Sequence, residues 1–327
     1  MGAAIFFDAF RSAIGPIAAA YALLAVGLNM HFGYTGLLNF GQVGFMLIGS
    51  YGVAITVATF GGPLWLGVLV GILGAVALAM ILGIPTLRLR ADYLAITTIA
   101  AAEILRFITR NSGSEPVTGG VFGLRQFSGG FYALNPYPPG SYLGVLSISE
   151  GRMWQMTVGW GLVALFTLLL WGLMRSPWGR IIRSIREDED AARSLGKNVF
   201  FYKMQSLVLG GVIGAIGGSI FALSLQTVQP DTFRPQVTFY AFAILILGGT
   251  ATVVGPIVGA FVFWFIIAGL QSGLRRFSDA GMLPDFFGSQ AIGATTLTFV
   301  GLLLMLLMIY RPQGLFGDKR EMQLDVK

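Results

Sequence analysis

The chain has 327 residues, 55% of them hydrophobic and only 11% charged. An ordinary soluble domain carries about 25% charged residues, so this surface is solvated mostly by lipid, and a pair of soluble domains is excluded. The formal net charge of +6 belongs to basic residues in short loops that orient a membrane protein, not to a nucleic-acid binder.

A spanning helix needs about 20 mostly apolar residues. In chain order the candidates are residues 13–31, 36–58, 63–84, 93–110, 156–174, 204–226, 237–251, 254–270 and 292–310, the seventh being short. The start of the chain lacks a basic segment and a short apolar core ahead of a cleavage site, so no signal peptide is expected. The connection 85–92 is short and basic, 111–155 is long, polar and aromatic, and 175–203 holds 7 of the 21 Lys and Arg residues. Residues 227–236 are a turn-rich break, 271–290 form another loop, and the tail starts at Arg311.

The positive-inside rule places 175–203 in the cytoplasm. Counting spans from there puts the tail, with Arg311, Lys319 and Arg320, and the 85–92 loop, with Arg88 and Arg90, on the same side. It puts 111–155 and the N-terminus outside. The expected fold is an all-α polytopic membrane protein of about nine transmembrane helices, or eight to ten if a Gly-rich segment within 33–60 re-enters or breaks. It forms a single transmembrane domain over 1–327, with a first helical half 13–174, a cytoplasmic loop 175–203, a second half 204–310 and a cytoplasmic tail 311–327.

The stretch NFGQVGFMLIGSYGVAI, followed by a span opening at Gly62-Pro63, echoes QVTFYAFAILILGGTATV, followed by one opening at Gly255-Pro256. With nine spans the two copies run in opposite directions, the inverted repeat of many transporters. Chance likeness of two Gly-rich apolar stretches is the competing account.

Gly210, Gly214 and Gly218 recur every four residues, as do Gly67–Gly71 and Gly255–Gly259. In lipid such spacing lets helix backbones approach closely, so these glycines are expected at packing seams, static or rearranging. Polar residues within spans are costly and therefore informative. Asn29, Thr35, Asn39 and Gln42 cluster in the first two spans, and Gln226 ends the sixth. Asn39 and Gln42 share a helix face. The face with Thr35, Asn39 and Gln42 either borders a translocation pathway or hydrogen-bonds between helices, and the sequence leaves both open. Glu103 is the only acid deep in a candidate span, and Arg106 follows at ion-pair spacing, so a structural pair is expected rather than a proton carrier. His31, the only histidine, is expected at an interface without a role.

One His and no Cys leave little for a metal site or a nucleophile–base pair, so no catalytic, cofactor or metal residues are expected. The phosphate-binding G-x-x-x-x-G-K-[ST] loop is also absent, so any ATP is bound by another chain.

Four consecutive acids, Glu187 to Asp190, flanked by basic residues, stand out in so apolar a chain. Ile182, Ile185, Ala192 and Leu195 form a partial apolar stripe, Glu189–Arg193 and Arg186–Asp190 have i, i+4 spacing, and Gly196 is placed to cap a helix C-terminus. Residues 182–197 are therefore expected as one short helix outside the membrane.

EDEDAARSLGKN resembles the cytoplasmic loop of ATP-binding cassette (ABC) importer permeases in its Glu189, Ala191, Ala192 and Gly196. TGLLNFGQVGFMLIGSYG, PTLRLRADYLAITTIAAAEILR, TGGVFGL, LGGTATVVGPIVGA and YRPQGLFG then occur in the order of the branched-chain amino acid permease family, LivM-type subunit, over most of 33–317. Gln42, where that family suggests His, and the Thr and Ala of GGTATVVG, where Gly is common, are departures that bear on the solute. The resemblance implies a subunit paired with a homologous second permease in a heterodimeric pore. Two ATP-binding subunits holding ATP and magnesium would dock below, and a periplasmic protein would deliver a hydrophobic amino acid. Arg186, Glu187, Asp188, Glu189, Ala191, Ala192 and Gly196 would form the coupling helix, with Ala191 and Ala192 at its tightest contact. The rival is an ion-coupled transporter using Glu103; related importers also take other amino acids, amides or urea.

Overall fold

The computed structural model describes residues 2–87, 91–281, 289–310 and 313–317. Arg88, Arg90, Arg311, Lys319 and Arg320 lie outside the described residues. The chain begins with α1 (Gly2–Ala13), an amphipathic helix the sequence reading did not anticipate. The first predicted span is α2 (Pro16–Leu28), started by Pro16 and prolonged by a π-helical turn, Asn29–Tyr34. A non-helical stretch, residues 36–41, leads into α3 (Gln42–Ala54), which also ends in a π turn, Ile55–Thr59. Next come α4 (Leu64–Thr86) and α5 (Ala91–Arg110).

The long polar loop holds only short elements: α6 (Glu115–Thr118), β1 (Leu124–Arg125), α7 (Gly129–Ala133), β2 (Ser141–Tyr142) and β3 (Ile148–Ser149). Then α8 (Glu150–Arg175) crosses to α9 (Pro177–Glu187) and α10 (Glu189–Ser194). α11 (Val199–Leu225) stops where Gln226 turns left-handed at φ 57°, and β4 (Thr227–Val228) leads to α12 (Gln236–Gly248), α13 (Gly255–Asp279) and α14 (Ser289–Tyr310). The two ladders are antiparallel, β1 with β4 (Leu124 opposite Val228) and β2 with β3 (Ser141 opposite Ser149).

Each of the nine predicted segments is thus a helix, and the chain is an all-α polytopic membrane protein. Among the described residues six helices are long and apolar enough to cross a membrane. α5 carries Glu103, Arg106 and Arg110, and α12, with 13 residues, is only about 20 Å long against a hydrocarbon core of about 30 Å.

The centre of the bundle is α2, α3 and α11. In the apolar window of Pro16–Tyr34, 89% of residues are buried, against 28% in α8 and in α13, which therefore face lipid or a partner. Glycine makes the seams. Gly27 of α2 lies on Gly210, and Ala20 and Leu23 lie on Gly217, so α2 and α11 are antiparallel. Gln42 lies beside Gly210 and Gly214, and Met46 and Ser50 lie against Gly218, so α3 runs parallel to α11. The α4 seam uses Gly67 and Gly71 against Val53 and Gly49, and the α12–α13 seam uses Gly255 and Gly259 against Gly249 and Ile244. Every glycine predicted at a seam is at one.

These contacts also order the echo. α11 packs on α3 and α4, and α2 packs on α12 and α13. Tyr21 meets Tyr240 and Phe32 meets Phe242 as α2 and α12 run the same way, so α3 and α12 run oppositely. The repeat is inverted in the fold as in the sequence reading.

The connections sort to two ends. One, the loop end, gathers residues 111–149 and 227–235, joined by β1–β4. The other, the elbow end, gathers α9, α10, the 36–41 stretch, the 249–254 turn and residues 313–317.

A Cβ at Gly218 would run into the Met46 carbonyl, whereas at Gly172, on the outer face of α8, it would meet nothing within 4 Å. Gly218→Ala should therefore destabilise by about 1–3 kcal/mol, and Gly172→Ala should be neutral or stabilising by about 0.5–1 kcal/mol. Thermal unfolding of the two variants in detergent micelles checks the contrast.

Candidate functional site

The predicted pathway residues meet in a closed polar junction. The π turn of α2 aims His31 at α11, and the 36–41 stretch returns Asn39 beside it. His31 Nε2 is 3.1 Å from the Leu207 carbonyl, which can only accept, so that nitrogen carries the proton and Nδ1 accepts from Asn39 Nδ2 at 3.0 Å. The second Asn39 Nδ2 hydrogen goes to Gln42 Oε1 at 3.1 Å, and Asn39 Oδ1 accepts from Gly41 N at 2.9 Å. Gln42 Nε2 donates to the Gly210 carbonyl at 3.2 Å and to that of Leu24 at 3.5 Å. Thr35 shares a 2.6 Å hydrogen bond with Ser206 and donates to the Met30 carbonyl at 2.8 Å. One neutral tautomer of His31 satisfies the whole set. His31, Asn39 and Gln42 are each 0% exposed.

His31 is thus a central buried group, correcting the expectation of an uninvolved interfacial residue. Its signal was its i, i+8 spacing to Asn39, which helical periodicity hides because the helix breaks between them. Of the two readings for Thr35, Asn39 and Gln42, the geometry draws the one in which they join helices. Asn29 does likewise, donating to the Thr252 carbonyl at 2.8 Å and accepting from Ala251 N at 2.9 Å. Both family departures fall in these structural roles: Gln42 in the junction, and Ala251 left-handed at φ 57° where a glycine would be unstrained.

At the loop end Glu103 and Arg106 form the predicted pair, bidentate at 2.7 Å and 3.0 Å. Sequence spacing did not show that Arg106 also binds Asp231 at 2.9 Å, or that Arg110 reaches the same oxygen at 3.3 Å. α5 is thereby tied to the 227–235 connection.

The charged segment is an elbow, not one helix over 182–197. Asp188 is extended at φ −153° and splits it into α9 and α10. The reason is local. Asp188 Oδ1 accepts from Asp190 N and Ala191 N, both at 2.9 Å, and so caps a new helix whose first turn holds Glu189 and Asp190, where the helix dipole favours acids. Gly196 closes α10 at φ +75°. Its N–H bonds the Arg193 carbonyl and that of Lys197 bonds Ala192, a full Schellman motif. Glu189 pairs with Arg193 at 2.9 Å and also with Lys203 of α11.

Ala192 faces inward, packed with Ile185 and Val199, and so is not at an external contact; Ala191 is exposed. Leu195, expected in the inward stripe, is instead 78% exposed at the tip, because the segment turns at Asp188 and Leu195 sits at the helix C-cap. Arg186 packs against Gly36, which joins the elbow to the chain entering the polar junction.

A cavity of about 810 Å³ opens at the loop end between α1, α2, α8, α11 and α13. It lies apart from the junction and was not singled out in the sequence, although Arg11, Arg152 and Arg275 each fall near a predicted span end. Among the described residues no cluster of His, Cys, Asp and Glu that could hold a metal is found.

Residues 16–310 match the family model described as branched-chain amino acid transport system / permease component. The high-affinity branched-chain amino acid transport system permease protein LivM of Escherichia coli (strain K12) is 30% identical, over 94% of this chain and 70% of that protein. The probable branched-chain amino acid transport permease protein LivM of Methanocaldococcus jannaschii is 25% identical over 91% of both chains. The nucleoside ABC transporter permease protein NupC of Lactococcus lactis is 27% identical over 74% of this chain and 77% of that one.

Asn39→Leu removes both donors and the acceptor that hold the junction, leaving His31 Nδ1, Gln42 Oε1 and Gly41 N unpaired. Each costs about 1–3 kcal/mol in a buried site, so a fall in unfolding midpoint exceeding that of Gly218→Ala is expected by the same thermal measurement. Glu103→Gln, whose position is structural, should leave transport within a few fold in a vesicle uptake assay; complete loss in a folded protein would point instead to ion coupling.

Proposed function

The chain belongs to the permease-component family of branched-chain amino acid transport systems, and from that premise we propose that it is the transmembrane subunit of an ATP-driven importer of branched-chain, hydrophobic amino acids. The match over residues 16–310, with the motifs from TGLLNFGQVGFMLIGSYG to YRPQGLFG in family order, is the observation that carries this reading. The chain transports and does not itself hydrolyse ATP. It works in a bacterial inner membrane beside a homologous second permease, two ATP-binding subunits that hold ATP and magnesium, and a periplasmic binding protein.

In this reading the elbow end is cytoplasmic, with the tail, and the loop end faces the binding protein. Support comes from charge: the elbow region 175–203 concentrates 7 of the 21 basic residues. Coupling is then mechanical. α10 presents Ala191, Leu195 and the cap of Gly196 to an ATP-binding subunit, while Glu187, Asp188 and Arg193 orient the contact. α9 transmits the movement through the packing of Arg186 on Gly36 into the 36–41 stretch and the junction with α11. The junction residues Thr35, Asn39 and Gln42 act as the hinge that biases the central helices between two arrangements, and they border the solute path only in the arrangement in which it is open.

Two outcomes check this. Reconstituted with its partners, the permease should take up leucine with ATP when proton and sodium gradients are collapsed; uptake that follows the gradients and ignores ATP would replace the reading with ion-coupled transport. Leu195→Asp should leave yield and unfolding midpoint unchanged, since the side chain is exposed. It should weaken capture of the ATP-binding subunits by about tenfold or more, the worth of one buried leucine. Ala192→Trp, by contrast, would overpack the chain's own interior against Ile185 and Val199.

A further inference from the structure

The cavity at the loop end has an unusual lining. Four arginines and two aspartates border it. Asp8 and Arg276 bind each other at 2.8 Å, with Ser272 also donating to Asp8 at 2.8 Å, so that pair is internally satisfied. Arg11, Arg152 and Arg275 remain with Asp279, and among the described residues none of these three arginines forms an ion pair. Two of the lining side chains, Arg11 and Trp264, each hold a buried N–H, Nε and Nε1, with no hydrogen-bond partner. Unpaired buried donors are costly, and these two face one cavity.

The position adds a further field. The cavity reaches Gly15, Pro16 and Ile17, the start of α2, and Gly15 provides no side-chain cap. The N-terminus of α2 therefore borders the same space with its partial positive charge, and the C-terminal residues of α11 and α13 border it with the opposite sign. Guanidinium groups from three helices, two unused N–H donors and a helix N-terminus border one space, opposed by Asp279 and by Asp8, which also faces Arg11. Three cations held this way near a low-dielectric bundle repel one another unless an anion joins them.

We propose that this cavity is an oxyanion site, built to hold one carboxylate or phosphate group between Arg11, Arg152 and the N-terminus of α2. Planar guanidinium forks match the two oxygens of such groups, which lysine does not do. The oxyanion has two sources at this depth. It is the α-carboxylate of the transported amino acid, in which case the inference deepens the function proposed above and rests on it, or it is the phosphate of a lipid headgroup. In the first case the cavity is a staging point reached before the central helices; in the second it anchors α1 and α13 to the bilayer.

The experiment uses the full permease with its partner subunits in nanodiscs. In phosphatidylcholine discs, the unfolding midpoint is followed against leucine and against leucinamide, which keeps the side chain and lacks the carboxylate. In discs of phosphatidylcholine and in discs containing phosphatidylglycerol, both of which carry the phosphate, native mass spectrometry counts retained phospholipid. We expect one of these ligands to bind the natural protein, and Arg11→Gln with Arg152→Gln to weaken it at least about tenfold, the loss of a charged hydrogen bond or more. Arg152→Lys, which keeps the charge and loses the fork, should fall between and guards against a folding defect. A response to leucine and not leucinamide assigns the solute carboxylate; retained phospholipid of either headgroup assigns the lipid. If neither ligand binds, or binding is unchanged in the double variant, the oxyanion site is wrong. ATP-dependent leucine uptake, measured on the same preparations, separates that result from failure of the transport reading, since uptake by the natural protein does not depend on where its carboxylate pauses.

Discussion

The bundle depends on how closely α11 approaches α2 and α3. In lipid there is no hydrophobic force between helices, so association rests on van der Waals contact and hydrogen bonds. Glycines at 27, 49, 210, 217 and 218 remove the side chains that would hold the backbones apart. The approach does a second thing. It brings helix carbonyls, already bonded within their own helices, within reach of side chains across the seam. Ser50 donates to the Gly218 carbonyl at 2.7 Å, Ser219 to that of Gly49 at 3.2 Å, and Gln42 to that of Gly210. Close packing and interhelical hydrogen bonding are therefore one interaction, and neither survives at larger separation.

The same constraint governs the breaks. Non-helical backbone at membrane depth is tolerated only where protein groups satisfy it. Between α2 and α3 and in the first turn of α3 the amides find side-chain partners: Phe40 N on Thr98 Oγ1 at 3.1 Å, Gly41 N on Asn39, and Val43 N on Thr238 Oγ1 at 3.0 Å. The turn between α12 and α13 uses Asn29 in the same way. Polar side chains that looked like the walls of a pathway are what permits the chain to leave the helix at all. Because Gly36 at the mouth of this stretch rests on Arg186, a displacement of α9 acts first on the least helical part of the core.

Much of this was legible beforehand. Span positions followed from apolar length, the seams from glycine spacing, and the cap of α10 from Gly196, because each depends on residues close in sequence. What stayed hidden depends on distant partners. Nothing near His31 announces Leu207, and nothing near Arg106 announces Asp231. The elbow at Asp188 was missed for a different reason: the i, i+3 and i, i+4 pattern runs across it unbroken, while the capping competence of an aspartate inside an acidic run is decided by which N–H it can reach. Leu195 followed the periodic stripe on paper and left it in space once the helix restarted.

Residues 313–317 carry one more consequence. Leu315 N and Phe316 N bond the carbonyls of Leu247 and Gly248 at 2.9 Å and 3.0 Å, and Gly314, left-handed at φ +74°, lies against Ile246. The last carbonyls of α12 thus find partners in a segment made after two further helices. A ribosome delivers the chain from its N-terminus, so α12 emerges with an unfinished end and stays so until α13, α14 and residues 313–317 have followed it. Arrival of that later segment, rather than insertion of α12 itself, is the event that completes this half of the repeat.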